Sequence, residues 1–124
     1  MRFEALKSLD AHLIYDRAQN QIKLHGFSPL FTYDPYTEEI DIWGAILLAC
    51  GAKKTLLLKG LTEAEDCGVA PYMCGRARFF CEYLEMLVGR EISLWCQSHT
   101  FGDALKLLQH ASDRVAITVI NPYK

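Results

Sequence analysis

Pro71-Tyr72-Met73-Cys74-Gly75-Arg76-Ala77-Arg78-Phe79-Phe80-Cys81-Glu82-Tyr83-Leu84-Glu85-Met86-Leu87-Val88-Gly89 is the stretch that decides the fold. Its apolar residues Met73, Ala77, Phe80, Cys81, Leu84, Leu87 and Val88 recur at separations of 4, 3, 1, 3, 3 and 1. That spacing lays a single apolar stripe along an α-helix. Pro71 stands at a first-turn position, where its missing N–H is no loss. Gly89 follows the last turn, where a left-handed residue commonly closes a helix.

Outward from this helix the chain keeps the same character. Residues 2–17 carry Phe3, Leu6, Leu9, Leu13 and Ile14 at helical spacing, with Asn20 and Gly26 where such a helix would stop. Asp41 is a candidate cap for a helix over residues 42–50, and Gly51 sits at its closing position. Residues 92–95 read as a brief apolar connector. Thr100 with Asp103 then signals another helix start, the hydroxyl and carboxylate both facing the amino-terminal end. Ala104, Leu105, Leu108, Ala111 and Val115 continue that stripe.

Other segments stay ambiguous. Residues 21–33 mix short apolar runs with Gly26 and Pro29 and read as an irregular segment or a short hairpin. Residues 53–59 are too few for periodicity to separate strand from helix. Thr62-Glu63-Ala64-Glu65 fits a capping box and a single helical turn. Residues 116–120 are β-branched and alternating, which admits a terminal strand pairing with residues 22–24.

The chain has 124 residues, 51% of them hydrophobic and 23% charged. Splitting it into two cores would put each near the lower limit for independent folding, so residues 1–124 are read as one globular domain. The fold class expected is mainly α, compact, with about four to five helices. A short two-stranded element would make it α+β. The formal charge of −2 gives no pull toward a nucleic-acid backbone or an anionic membrane. No apolar run approaches the roughly 18 residues that a membrane helix needs. The amino terminus lacks the pattern of a signal peptide. The odd count of five cysteines, all in apolar contexts, agrees with a reducing, cytoplasmic setting.

Chemistry-bearing patterns are sparse. Cys67, Cys74 and Cys81 are seven apart and supply no C-x-x-C pair, so they read as core thiols and not as zinc ligands. His12, His25 and His110 are scattered, and no glycine-rich phosphate loop is present. No metal and no cofactor are expected. Arg76 and Arg78, with Arg90 beyond, form a basic cluster, but Glu82 and Glu85 on the same helix make a solvated mixed-charge face. Cys96-Gln97-Ser98-His99 brings a thiol and an imidazole together ahead of a helix start, where a thiol pKa can fall.

Residues 28–43 interleave Phe31, Tyr33, Tyr36 and Trp43 with four carboxylates and no basic residue. Aromatic side chains are enriched at interface centres, and a local negative field steers basic partners. The competing reading packs Phe31 and Trp43 inward and leaves the carboxylates to solvate a loop.

Two stretches resemble a family of small bacterial and phage proteins with no assigned function. One is Ile42-Trp43-Gly44-Ala45-Ile46-Leu47-Leu48-Ala49, similar to that family's Gly-Ala-Leu helix. The other spans residues 76–111, where the family's Ile-x-x-Trp motif has its counterpart in Ile92-Ser93-Leu94-Trp95. A helix led by Thr100 follows and ends near Ala111-Ser112. The departure is Cys96-Gln97, which stands where the family usually has Asn-Asp. The resemblance implies a compact, mainly helical fold and a phage or mobile-element setting. It implies no reaction.

The expected function is non-enzymatic. The chain reads as a small, phage-encoded binding protein that occupies a host protein's surface, for example as an anti-CRISPR inhibitor of a bacterial defence system. The expected partner-binding residues are Tyr33, Tyr36, Glu38, Glu39 and Asp41, and no catalytic residue is assigned. The alternative is a small ligand-binding protein or enzyme using Cys96 and His99. Self-association through an exposed helix face is a third option, and nucleic acid ranks last as a partner.

Overall fold

The helix read from Pro71 onward forms as its spacing dictates. In the structure, a computed structural model that describes residues 9–120, it spans Pro71–Val88 and ends on Gly89 with φ of 73°. Five more helices are present among the described residues. In chain order they are α1 (Leu9–His25), α2 (Ile42–Ala49), α3 (Lys54–Leu58), α4 (Pro71–Val88), α5 (Ile92–Gln97) and α6 (Phe101–Ile120). The protein is mainly helical, and one continuous apolar core draws on all six elements.

α1 packs most extensively on α6 and then on α2. Its buried side is Ala11, Ile14, Tyr15, Ala18 and Ile22. Ala104, Leu107, Leu108 and Ala111 are buried on α6, and alanines in both helices suit a close approach of their backbones. Polar ties fix the register. Ser112 Oγ donates to Asp16 Oδ1 at 2.6 Å, and Gln19 Nε2 donates to Gln109 Oε1 at 3.0 Å. Tyr15 joins α1 to α4: its hydroxyl donates to the Phe80 carbonyl at 2.8 Å, and the two rings meet edge to face at 5.7 Å.

Several boundaries differ from the sequence expectations. Phe3 and Leu6 lie outside the described residues. α1 does not stop at Asn20, which is exposed in mid-helix, but runs to His25 and closes on Gly26, whose N–H donates to Ile22 O. Residues 22–24 are therefore helical and offer no strand. Residues 116–120 are not a strand either, because they extend α6. Once a helix is nucleated, each further residue adds a hydrogen bond, and the small β-branched penalty of under about 1 kcal/mol per residue does not stop it. Residues 53–59 resolve as the short helix α3, and the supposed connector at 92–95 is a helix, α5. The β pairing that exists lies elsewhere, as isolated bridges from Ile40 to Phe27 and to Tyr33.

Candidate functional site

Residues 26–41, joining α1 to α2, form a loop whose ends meet. Ile40 N–H donates to Gly26 O at 3.1 Å, and Ser28 N–H donates to Ile40 O at 2.9 Å. Farther out, Asp34 N–H donates to Glu39 O and Glu38 N–H to Asp34 O, both at 2.8 Å. Asp34 Oδ1 also accepts from the Tyr36 and Thr37 N–H groups at 2.8 and 3.3 Å. The Tyr36 bond is the main cause holding the Asp34 carboxyl below its usual range. Ser28 Oγ accepts from Phe31 N–H at 3.0 Å, an ordering turn that the Ser-Pro start of this segment signals. Compact loops with closed ends and internal bonding of this type pack on themselves at the surface.

The loop is tied to α2 at its carboxyl end and again at Thr32. Asp41 caps that helix, accepting from Gly44 N–H at 2.8 Å. A side chain at Gly44 would sit 2.1 Å from the Thr32 carbonyl oxygen, so glycine lets the loop backbone rest directly on α2. Burial raises the Asp41 carboxyl to about 6, against the opposing pull of the Gly44 N–H.

The five sequence-selected residues take three different positions. Tyr33 is buried and donates from its hydroxyl to Glu38 Oε1 at 3.1 Å. Its hydroxyl pKa is raised, first by burial and then by that bond. Asp41 is buried as the cap. Glu39 is half-buried, with its Cγ beside Gly26. Glu38 is exposed and pairs with Lys54 Nζ at 2.6 Å, and that bond, followed by the one from Tyr33, lowers its carboxyl pKa. Glu38 holds a left-handed φ of 64°, a conformation non-glycine residues seldom adopt. Tyr36 is 94% exposed.

Beside Tyr36 in the same loop, Leu30 is 72% exposed and Phe31 50%. Leu30 had no distinguishing pattern in the sequence, and only the turn at Ser28-Pro29 hinted that it would be pushed outward. Trp43 is half-buried and donates from its indole N–H to Thr62 O at 2.8 Å. It braces α2 and does not join the displayed set.

Cys96 and His99 lie in different environments. Cys96 is fully buried, and burial raises its thiol to about 12. The His99 ring stacks on Trp95 with centroids 3.9 Å apart, and its Nδ1 is 2.6 Å from Trp95 O. The other thiols are unpaired as well. Cys50 and Cys67 are buried, and Cys74 and Cys81 pack against the core. Among the described residues no group of three His, Cys, Asp or Glu side chains is arranged to hold a metal ion, and no helix is long and apolar enough to cross a membrane. Arg78 is bound to Glu65 at 2.6 Å and to Glu63 at 3.5 Å, and Arg76 lies over the Phe80 ring.

No family model, no curated protein and no solved structure matches this chain.

Proposed function

We propose that the protein is a non-enzymatic binding module that occupies the surface of a partner protein through residues 30–38. The observation that carries this reading is the division of labour in the loop. Ser28, Tyr33, Ile40 and Asp41 are buried and bonded, while Leu30, Phe31 and Tyr36 stand in solvent on a backbone already fixed. Leu30, Phe31 and Tyr36 fall close together on one loop, and a backbone already bonded to itself lowers the entropy cost of binding. Asp34 and Glu39 flank Tyr36 in sequence while Lys54 already meets the charge of Glu38, so the matching partner surface is basic with an apolar pocket for the ring. The phage setting implied by the resemblance favours a host protein as that partner. An inhibitor of a bacterial defence system, such as an anti-CRISPR protein, is one concrete form.

The test is affinity capture from bacterial lysate with the wild type, with a Phe31→Ala/Tyr36→Ala variant and with Met86→Ala as an exposed control on α4. A protein held by the wild type and the control is expected to be lost from the loop variant. Its purified form is expected to bind the loop variant at least tenfold more weakly, a loss of about 1.4 kcal/mol or more. Equal recovery of every protein by all three overturns the reading.

A further inference from the structure

The first residue of α3, Lys54, reaches the loop that joins α1 to α2, where its Nζ lies 2.6 Å from Glu38 Oε1. The same carboxylate oxygen accepts from the Tyr33 hydroxyl at 3.1 Å, so one atom joins a buried loop side chain to a separate helix. α3 is itself fixed, with Leu57 buried and Lys53 N–H donating to Cys67 O at 2.7 Å. Glu38 is the one non-glycine residue with a positive φ among the described residues. Such a conformation persists where its surroundings over-determine it. The backbone part of that constraint is Glu38 N–H on Asp34 O, which closes the turn holding Tyr36. The side-chain part is the Glu38 carboxylate between Lys54 and Tyr33. Lys54 is the main cause lowering the Glu38 carboxyl, and Glu38 the main cause raising the Lys54 ammonium.

We propose that Lys54 is a positioning residue for the binding loop, holding the turn that carries Tyr36 in shape through Glu38. The role rests on the reading of residues 30–38 as a binding surface. Both side chains of the pair are about half exposed, and an ion pair of that kind adds little to global stability. Its effect is local, because Glu38 is where the turn departs from ordinary backbone geometry and because loops open at far lower cost than whole domains. A turn held in this way leaves Tyr36 less freedom to lose on docking, so the ammonium raises affinity through Glu38. The charge is what the role requires. Methionine at position 54 keeps a long apolar stem and loses the pair, whereas arginine keeps the charge and can still reach the carboxylate.

Amide hydrogen exchange of the free protein, followed by NMR, tests the proposal in the wild type, Lys54→Met, Lys54→Arg and Lys59→Met, the last an exposed control past the far end of α3. Lys54→Met is expected to lower protection about threefold at the Tyr36, Thr37 and Glu38 N–H groups, within what a surface pair can supply. Lys54→Arg is expected to restore it, and Lys59→Met to change nothing. The Leu57 N–H inside α3 and the Gly44 N–H on the Asp41 cap are expected to keep their protection throughout. A lysine that only stabilised α3 would expose Leu57 and leave Tyr36 unchanged. The proposal is overturned if Lys54→Met protects the three loop groups like the wild type, if Leu57 loses as much as they do, or if arginine fails to restore them. These results need no partner. Faster loop exchange with no protein captured from lysate therefore upholds the positioning role and counts against the binding reading alone.

Discussion

The buried Asp41 carboxylate accepts its hydrogen bond from Gly44 N–H, three residues along the chain, at 2.8 Å, so one side chain both starts α2 and ends the loop before it. The price of this arrangement is a charge taken out of water, and burial raises the carboxyl from an ordinary 3.8 to about 6. Because the folded pKa lies above the unfolded one, the folded state binds more protons between those values. This contribution to stability is therefore whole below about pH 4 and is lost as pH rises through about 6. Asp41→Asn keeps a good cap without the charge. Urea denaturation at pH 5 and pH 8 is expected to show the wild type losing stability relative to Asp41→Asn at the higher pH. A wild type that instead gains on the variant at pH 8 would count against the assignment.

Gly44 and Gly75 are both helical glycines, yet alanine is expected to act in opposite directions at the two sites. At Gly75 a Cβ meets nothing within 4 Å, so Gly75→Ala is expected to stabilise by about 0.5–1 kcal/mol through the helix preference of alanine. At Gly44 the Cβ would lie 2.1 Å from a backbone oxygen, Thr32 O, which no side-chain rotation can relieve. Gly44→Ala is expected to cost about 2 kcal/mol or more despite the same preference. Chemical denaturation of the two variants checks the sign reversal.

Tyr15→Phe removes the hydroxyl that donates to Phe80 O and leaves the ring contacts. The expected loss is about 1 kcal/mol, the net worth of one buried hydrogen bond. Tyr15→Ala also empties the space between α1 and α4 and is expected to cost about 3–5 kcal/mol. A single unfolding series would separate the hydroxyl from the ring.

Thr100 and Asp103 bond each other's backbone N–H groups at the start of α6, at 3.3 and 3.0 Å. Thr100→Ala is expected to lower stability by about 0.5–2 kcal/mol. The bond from Thr100 N–H is the main cause holding the Asp103 carboxyl below its ordinary value. That part of the stability is present above about pH 4 and is lost as pH falls, the reverse of Asp41. Melting of wild type and Asp103→Ala across pH 3–7 checks this: the wild type is expected to lose its advantage over the variant as pH falls toward 3.

Burial of Cys96 and the elevation of its thiol to about 12 make it a poor nucleophile at neutral pH. Alkylation followed by mass spectrometry is expected to modify Cys96 far more slowly in the native protein than in urea. Native reaction faster than that of a free small-molecule thiol would revive an enzymatic role for Cys96 and His99.

The elements legible in the sequence are those decided within a few residues. The stripe of α4 with Pro71 and Gly89, the Asp41 cap and the Thr100–Asp103 box are all local patterns, and the structure contains each. Of the two stops named for α1, Asn20 and Gly26, the structure uses Gly26; the helix passes Asn20 because Ile22, two residues on, is buried and keeps that face in the core. Leu13, a residue of the expected stripe, is 42% exposed. The β-branched residues 116–120 favour a strand by composition, yet they form the last turns of a helix already under way. In the loop, composition marked residues 28–43 as unusual but could not sort them. Tyr33 turns inward and Tyr36 outward because Ile40 bridges to both Phe27 and Tyr33, a relation between positions seven and thirteen apart.

Ile40 works as a clasp, and its position separates what shapes the loop from what the loop shows. Substitutions at positions 30, 31 and 36 leave every bond that clasp makes untouched. The frame can therefore carry different side chains at those three tips on an unchanged helical base.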